Sequence, residues 1–337
     1  MEFLHQRDLD LQQAERLRAA PVVSIVVPCY NEETMLPETA ARLTALLTRM
    51  IQAGDVAAAS GLYFVDDGSQ DDTWRLICDF AAKDNKVNGI KLSRNRGHQN
   101  ALLCGLLTVP GDAVVSMDAD LQDDPEAIPA MIADYRAGSE IVYAVRSNRA
   151  TDGIFKRESA GIYYRMLRLF GVRIPFNHAD FRLMSRRAVE ALHGYGESHL
   201  FLRALVPQLG FASSEVQYAR QARRAGQSKY PLRKMMSFAW EGVTSFTAYP
   251  LRLITTTGLV VSAGSLLIAI WALVIRLFTD RAVPGWASIV IPTYFIGGVQ
   301  LLSLGVIGEY LAKVYESTKQ RPRYCIEVVC GESFVQR

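Results

Sequence analysis

The sequence lacks a leader-like segment, a metal-finger cysteine pattern and a dominant charge. Residues 1–20 are charged throughout and hold no apolar core, so no signal peptide is expected there. Leu9, Leu11 and Leu17 instead give that segment an amphipathic pattern. The five cysteines, Cys29, Cys78, Cys104, Cys325 and Cys330, are scattered without metal-ligand spacing. They read as reduced thiols in a cytosol-facing protein. The formal net charge is only +3, which argues against broad nucleic-acid binding. There is no internal repeat and no low-complexity tract. Two long stretches, 253–275 and 282–308, lack charge altogether.

Those two stretches are the first positive signal. Each exceeds the ~20 residues that span a bilayer, and the charged link 276–281 joins them. A two-helix transmembrane hairpin is expected. Arg233, Lys234 and Arg252 precede it, and Lys313, Lys319, Arg321 and Arg323 follow it, which sets both outer ends in the cytoplasm. Gly258 with Ser262, and Gly297, Gly298, Gly305 and Gly308, offer small-residue faces for packing within the hairpin or between subunits. That leaves a homo-oligomer open. Residues 231–250 mix Met235, Met236, Phe238, Trp240 and Phe246 with Arg233 and Lys234, the pattern of an interfacial segment.

The rest of the chain reads as a soluble domain. The 337 residues are half hydrophobic and 21% charged, enough for about two domains and a sizeable core. Apolar runs at 22–27, 62–65, 89–92, 113–117 and 141–144 read as strands. Helical patterns at 33–51, 72–82, 98–107 and 125–137 separate them, which predicts an α/β domain with a mainly parallel sheet. After residue 150 the pattern loosens. Residues 185–192 and 199–209 look helical, 216–218 reads as a strand, and 177–184 is a polar-to-apolar segment with Asp180 and Arg182. Ligands of parallel sheets sit beyond the carboxyl ends of the strands. Tyr30-Asn31-Glu32, Asp66-Asp67, Arg94-Asn95, Asp118 with Asp120, and Arg146 all fall at such ends.

Residues 117–126 hold the densest chemistry. In extended backbone Asp118 and Asp120 point the same way, and two converging carboxylates invite a hard cation such as Mg²⁺ or Mn²⁺. The competing reading is an acidic loop entering a helix, with Asp123 or Asp124 as its cap. Arg146 is either a phosphate contact or a solvated surface arginine. His98 is a turn or core histidine, or a contact for an anion. Arg223, Arg224, Ser228 and Lys229 surround Gly226 in a basic turn. They suit an anionic acceptor, with a forked arginine and a point-charge lysine, or simply anchor to anionic lipid.

Three motifs resemble the nucleotide-sugar signature of family 2 glycosyltransferases, which have the GT-A (Rossmann-like) fold. They are Pro28-Cys29-Tyr30-Asn31-Glu32-Glu33, Val65-Asp66-Asp67-Gly68-Ser69 and Asp118-Ala119-Asp120-Leu121-Gln122. Asn177-His178-Ala179-Asp180-Phe181-Arg182-Leu183, Arg223-Arg224-Ala225-Gly226-Gln227-Ser228-Lys229-Tyr230, and the tail from Gly308-Glu309-Tyr310 to Arg321-Pro322-Arg323-Tyr324 narrow the resemblance to polyprenyl-phosphate glycosyltransferases. In that group the chain looks like the two-span bactoprenol glucosyltransferases, over residues 22–324.

The resemblance implies a nucleotide-sugar site lined by Pro28, Tyr30, Glu32, Asp66, Asp67, Asp118, Gln122 and Arg146. It places Asp118, Asp120 and Gln122 around Mg²⁺ or Mn²⁺, and Arg223, Ser228 and Lys229 on the acceptor phosphate. Asp180 and Asp120 are its catalytic residues, with Asp180 as base. A phosphate monoester is largely dianionic at neutral pH, with a second pKa near ~6, and does not strictly need a base. Asp180 then orients Arg182 or sugar hydroxyls, or pairs with Arg182 only to hold the fold. The implied reaction carries glucose from UDP-glucose to undecaprenyl phosphate with inversion. Mannose, N-acetylglucosamine or aminoarabinose donors and a dolichol-type acceptor are the alternatives. A processive synthase fits poorly, since its Gln-x-x-Arg-Trp pattern is missing. A non-catalytic membrane scaffold is the alternative of another class. The expected organisation is an amphipathic segment 1–20, a GT-A catalytic domain 21–230, interfacial helices 231–252, the hairpin 253–312 and a cytoplasmic tail 313–337. The expected setting is the inner membrane, multi-pass, with the catalytic domain cytoplasmic.

Overall fold

The computed structural model describes residues 20–146, 178–195, 202–218, 249–278, 286–319 and 321–332. They fall into two units, an α/β domain that includes residues 321–332 and a unit of two long helices.

The α/β domain is built on β1 (Val23–Cys29), all seven residues of which are buried. Val23, Ile25 and Val27 pack into one apolar cluster and Val26 into another. A strand apolar on both faces belongs at the centre of a covered sheet. β2 (Gly61–Asp66) and β4 (Ala113–Ser116) flank it in parallel, and β3 (Val87–Leu92) lies beyond β2. β5 (Ile141–Arg146), β6 (His178–Ser185), β7 (Ser213–Tyr218) and β8 (Ile326–Cys330) complete the order β7-β5-β6-β4-β1-β2-β3-β8. Only β6 and β8 run against the other strands.

Helices α1 (Leu36–Ala53), α2 (Thr73–Lys83) and α4 (Ile128–Arg136) cover one face of the sheet. α3 (His98–Thr108), α5 (Arg186–Ala191) and the short α6 (Leu202–Leu205) cover the other. α1 shows why its sequence folds this way. Leu36, Ala40, Leu43, Leu47 and Met50 recur at helical spacing, and all are buried. α3 approaches β1 so closely that a Cβ on Gly105 would lie 2.3 Å from the Val26 side chain. Only glycine fits there, and the contact fixes where the α3 amino terminus meets the strand ends.

The structure departs from the sequence reading at several elements. The segment 177–184 is a strand, inserted antiparallel between β4 and β5. Its amino end therefore lies on the same rim as the carboxyl ends of the parallel strands. The tail is not separate: β8 pairs with β3 at the sheet edge. The helix expected at 125–137 opens as a 3-10 turn, Pro125–Ala127, before α4. Residues 202–209 form α6 and a 3-10 turn, Val206–Leu209, instead of one continuous helix.

The second unit holds α7 (Tyr249–Phe278) and α8 (Trp286–Thr318). Leu301, Leu304 and Leu311 of α8 are exposed. Among the described residues, Phe295–Thr318 is the one helical stretch long and apolar enough to cross a membrane by length and composition. The structure thus gives one candidate span where a two-span hairpin was expected. The amphipathic segment 1–19, the helix expected at 154–170, the interfacial stretch 231–248, and Arg223, Ser228 and Lys229 lie outside the described residues.

Candidate active site

The rim begins where β1 and β2 end. Pro28 is buried within β1, and Tyr30 just beyond it is exposed. The loop after β1 is laced to the loop after β2. Ser69 Oγ accepts the Asn31 N–H at 2.9 Å, Asn31 Oδ1 accepts the Gln70 N–H at 2.9 Å, and Thr73 Oγ1 accepts the Glu32 N–H at 2.9 Å. Asp66 Oδ1 accepts the Ser69 N–H at 3.2 Å, so Asp66 caps the turn that follows it. Asp66 Oδ2 is buried with no hydrogen-bond partner. Asp67 turns to the loop between β3 and α3, where its carboxylate accepts the Arg96 N–H at 2.7 Å and the Gly97 N–H at 2.8 Å. Burial pushes its pKa up and these two N–H bonds pull it back. Gly68 sits between, with φ +70°, and an added Cβ would meet the Arg94 backbone at 2.7 Å. Glycine is required there by both conformation and space.

The turn after β4 carries Asp118, Asp120 and Gln122. Asp118 Oδ1 is shielded from solvent without a hydrogen-bond partner, 3.5 Å from His98 Nε2. Burial raises the Asp118 pKa to about 6, against the opposing pull of His98. Asp120 accepts the Gln122 N–H at 3.1 Å on Oδ1 and the Gln122 side-chain amide at 2.6 Å on Oδ2. Leu121 between them takes the left-handed conformation, φ +51°. For a leucine this is strained by roughly 1–2 kcal/mol, and it persists only where its surroundings enforce it. The two acids that follow divide their work. Asp124 caps the 3-10 turn by accepting the Glu126 N–H at 3.2 Å. Asp123 is buried and does not cap: its Oδ1 accepts the Tyr218 hydroxyl at 2.5 Å and the Arg146 guanidinium at 3.3 Å. Arg146 also donates to the Tyr218 hydroxyl oxygen at 3.1 Å, so it is a pinned side chain and not a solvated one.

A divalent cation suits this turn in part. The shielded, unpartnered oxygen of Asp118 is the kind of atom a cation satisfies, and Asp120 adds a second hard oxygen donor two residues on. Gln122 contacts Asp120 through its amide nitrogen and so orients that carboxylate. Among the described residues no three His, Cys, Asp or Glu side chains converge as a ready-made metal site.

Asp180 stands opposite, at the amino end of β6. It is almost fully buried, and its carboxylate is saturated. Oδ1 takes the Arg182 guanidinium at 2.7 Å. Oδ2 takes the Gln99 amide at 3.1 Å and Arg203 at 3.0 and 3.2 Å, with His98 Nε2 3.5 Å away. Burial alone would raise its pKa, but the His98 contact and the charges of Arg182 and Arg203 outweigh that and hold it well below the usual carboxylate range. Arg182 is itself buried, and its other arm reaches the Leu202 carbonyl at 3.2 Å. His98, at the start of α3, bridges Asp118 and Asp180.

The structure thus brings Asp118, Asp120, Gln122, Asp180 and His98 to one rim, with Arg146 pinned to Asp123 nearby. Sequence reasoning missed Gln99, Arg203, Tyr218 and the part played by Asp123. Tyr218 could have been found as the last residue of a strand ending at the rim. Arg203 carried no such signal, because its helix is only four residues long.

Residues 24–192 match the family model described as glycosyl transferase family 2. The chain is 45% identical to the uncharacterized glycosyltransferase YkoT of Bacillus subtilis, covering 92% of this chain and 93% of that protein. It is 38% identical to the bactoprenol glucosyl transferase of Shigella phage SfX, covering 90% of this chain and 98% of that protein. It is 36% identical to a prophage bactoprenol glucosyl transferase homolog of Escherichia coli, covering 91% and 99%. With a GT-A, Rossmann-like α/β domain and these relatives along nearly its whole length, the chain belongs to glycosyl transferase family 2.

Proposed function

We propose that the chain is a membrane-anchored inverting glycosyltransferase that moves glucose from UDP-glucose to undecaprenyl phosphate, giving a lipid-linked phosphosugar. One observation carries this reading. Asp118, with Asp120 two residues on, faces across His98 another carboxylate, Asp180, that is paired with two guanidiniums. Such a rim suits a diphosphate leaving group on one side and an anionic nucleophile on the other. The named relatives, aligned over 90% or more of the chain, support a lipid-phosphate acceptor. The apolar α8, with the uncharged stretch 253–275 in α7 as a second span, supports membrane anchoring with the catalytic domain in the cytoplasm.

Breaking the anomeric bond leaves negative charge on the departing diphosphate. Asp118 and Asp120, the latter oriented by Gln122, would hold Mg²⁺ or Mn²⁺, which would supply a Lewis acid for that charge. Pro28, Tyr30, Glu32, Asp66 and Asp67 frame the nucleotide. Asp67 does so indirectly, by holding the loop of Arg96 and Gly97. Asp180 is a weak base in this setting, because four donors already occupy it. It works by holding Arg203 and His98 at the reacting centre, while the dianionic lipid phosphate attacks without losing a proton. Arg223, Ser228 and Lys229 receive that phosphate.

The test uses membranes containing the full chain, undecaprenyl phosphate and a panel of labelled nucleotide sugars, with and without chelator. Transfer from UDP-glucose to the lipid, lost with chelator and restored by Mg²⁺ or Mn²⁺, is expected. Preference for a mannose, N-acetylglucosamine or aminoarabinose donor would overturn the sugar assignment. Transfer that survives chelation would overturn the metal assignment, and nucleotide-sugar binding without transfer would return the scaffold reading.

A further inference from the structure

The cluster of buried Asp123 and Tyr218 with half-buried Arg146 belongs to no step of the mechanism above, yet it joins three parts of the fold. Asp123 lies on the turn that carries Asp118, Asp120 and Gln122. Arg146 is the last residue of β5 and Tyr218 the last of β7, on strands paired side by side with Arg146 opposite Tyr218. The three polar groups close a ring of hydrogen bonds at 2.5, 3.1 and 3.3 Å. The Tyr218 ring also meets Phe181 edge-on at 5.5 Å, and Phe181 sits between Asp180 and Arg182 on β6. Leu121, two residues before Asp123, holds the strained left-handed conformation. A strained turn stays in place only if something beyond it is fixed, and Asp123 is fixed by this ring. From Tyr218 the chain runs on to Arg223, Ser228 and Lys229.

We propose that Asp123 and Tyr218 are positioning residues, and that with Arg146 they clamp the 117–124 turn so that Asp118 and Asp120 are set for the cation and diphosphate. The inference deepens the proposed function and rests on it for the identity of the substrate. The charge of Arg146 is answered by Asp123, so this arginine acts as part of the clamp more than as a phosphate hook. Tyr218→Phe removes the hydroxyl and keeps the ring against Phe181. Asp123→Asn keeps an oxygen that accepts the Tyr218 hydroxyl, whereas Asp123→Ala keeps none.

The test compares these three variants of the full chain with the wild type in lipid nanodiscs. Turnover, thermal melting and calorimetric binding of UDP over a Mn²⁺ series are measured. Tyr218→Phe is expected to lower turnover at least ten-fold and to raise at least three-fold the Mn²⁺ concentration needed for half-maximal UDP binding, with melting little changed. Asp123→Asn is expected to fall between the wild type and Asp123→Ala in both readouts. A wild-type Mn²⁺ response in Tyr218→Phe would overturn the clamp. So would losses in all three variants that simply follow their melting temperatures. UDP binding involves no acceptor, so a wild type that glycosylates no lipid phosphate would sink the proposed function while the Mn²⁺ series still decides the clamp.

Discussion

The sharpest consequence of the site concerns Asp180 and Arg182. Both are buried and joined at 2.7 Å, and Arg182 Nε already lacks a hydrogen-bond partner. Asp180→Asn keeps the shape and removes the charge. It leaves the buried Arg182 without its counter-ion, and breaking such a pair from one side costs about 3–5 kcal/mol. In a domain of this size that lowers the melting temperature by about 6–20 °C. A fall in activity from this variant alone would therefore say little. The double variant Asp180→Leu/Arg182→Met separates the effects. Replacing both ends of a buried pair by apolar side chains is often close to neutral, so most of the lost stability should return. Activity should not, because Arg203 and His98 lose the carboxylate that holds them. A loss of about 10²-fold or more in turnover is expected, the scale of a missing electrostatic group at a reacting centre. The assay pairs circular-dichroism melting with single-turnover transfer to lipid phosphate. A double variant that regains both stability and near-normal turnover would refute the role of Asp180 in holding Arg203 and His98, and Asp180 would be a carboxylate that only holds the fold. Asp180→Asn with unchanged melting would refute the energetic reasoning.

Two further substitutions probe the frame around the site. Gly68→Ala places a methyl group 2.7 Å from the Arg94 backbone at φ +70°, so it must displace the loop that Asp67 holds. UDP affinity is expected to fall about 10-fold, equivalent to ~1.4 kcal/mol, and an unchanged affinity by calorimetry would refute the role given to that loop. Ser185 caps α5, its Oγ accepting the Ala188 N–H at 3.1 Å. Ser185→Ala is expected to cost about 1 kcal/mol, a drop of about 2–4 °C in melting, with turnover intact. A turnover loss would mean that the far end of β6 reports to Asp180.

How much of this was legible in sequence follows from the physics of each element. β1 to β5 announce themselves as apolar runs because parallel strands are buried on both faces. Their ends could be read as a rim without any contact being known. β6 could not be read in this way. Its Asp180 and Arg182 interrupt the apolar pattern and are buried only because they neutralise each other, a pairing that appears once β6 is laid against β4. β8 was hidden for another reason. A five-residue edge strand after a long helix owes its place to β3, 234 residues earlier at Leu92 to Ile326, and local pattern carries no trace of that partner. Asp118 and Asp120 could be singled out from their two-residue spacing beyond an apolar run, without any contact being known. Of the two candidate caps, Asp124 is the one that caps; the role of Asp123 could not be read locally, because its partners, Arg146 and Tyr218, come 23 and 95 residues later.

The charges at the rim also explain why two similar acids, Asp118 and Asp180, sit close to one histidine with opposite tendencies. Around Asp118 the carboxylates of Asp180, Asp123 and Asp120 raise its pKa, and the His98 imidazole beside it works against them. Around Asp180 stand Arg182 and Arg203 as well as His98. One carboxylate is therefore short of positive charge, and the other has more than it needs. Desolvation is common to both, so the difference lies in the partners. A side short of positive charge gains by taking up a cation. A side with surplus guanidinium gains by taking up an anion, and Arg203 is the more exposed of the two arginines there. The same fold thus sets a cation-seeking pole and an anion-seeking pole on either side of His98. In the proposed transfer of a sugar between two phosphates, the first pole would meet the diphosphate that leaves, and the second, together with Arg223, Ser228 and Lys229, the phosphate that attacks.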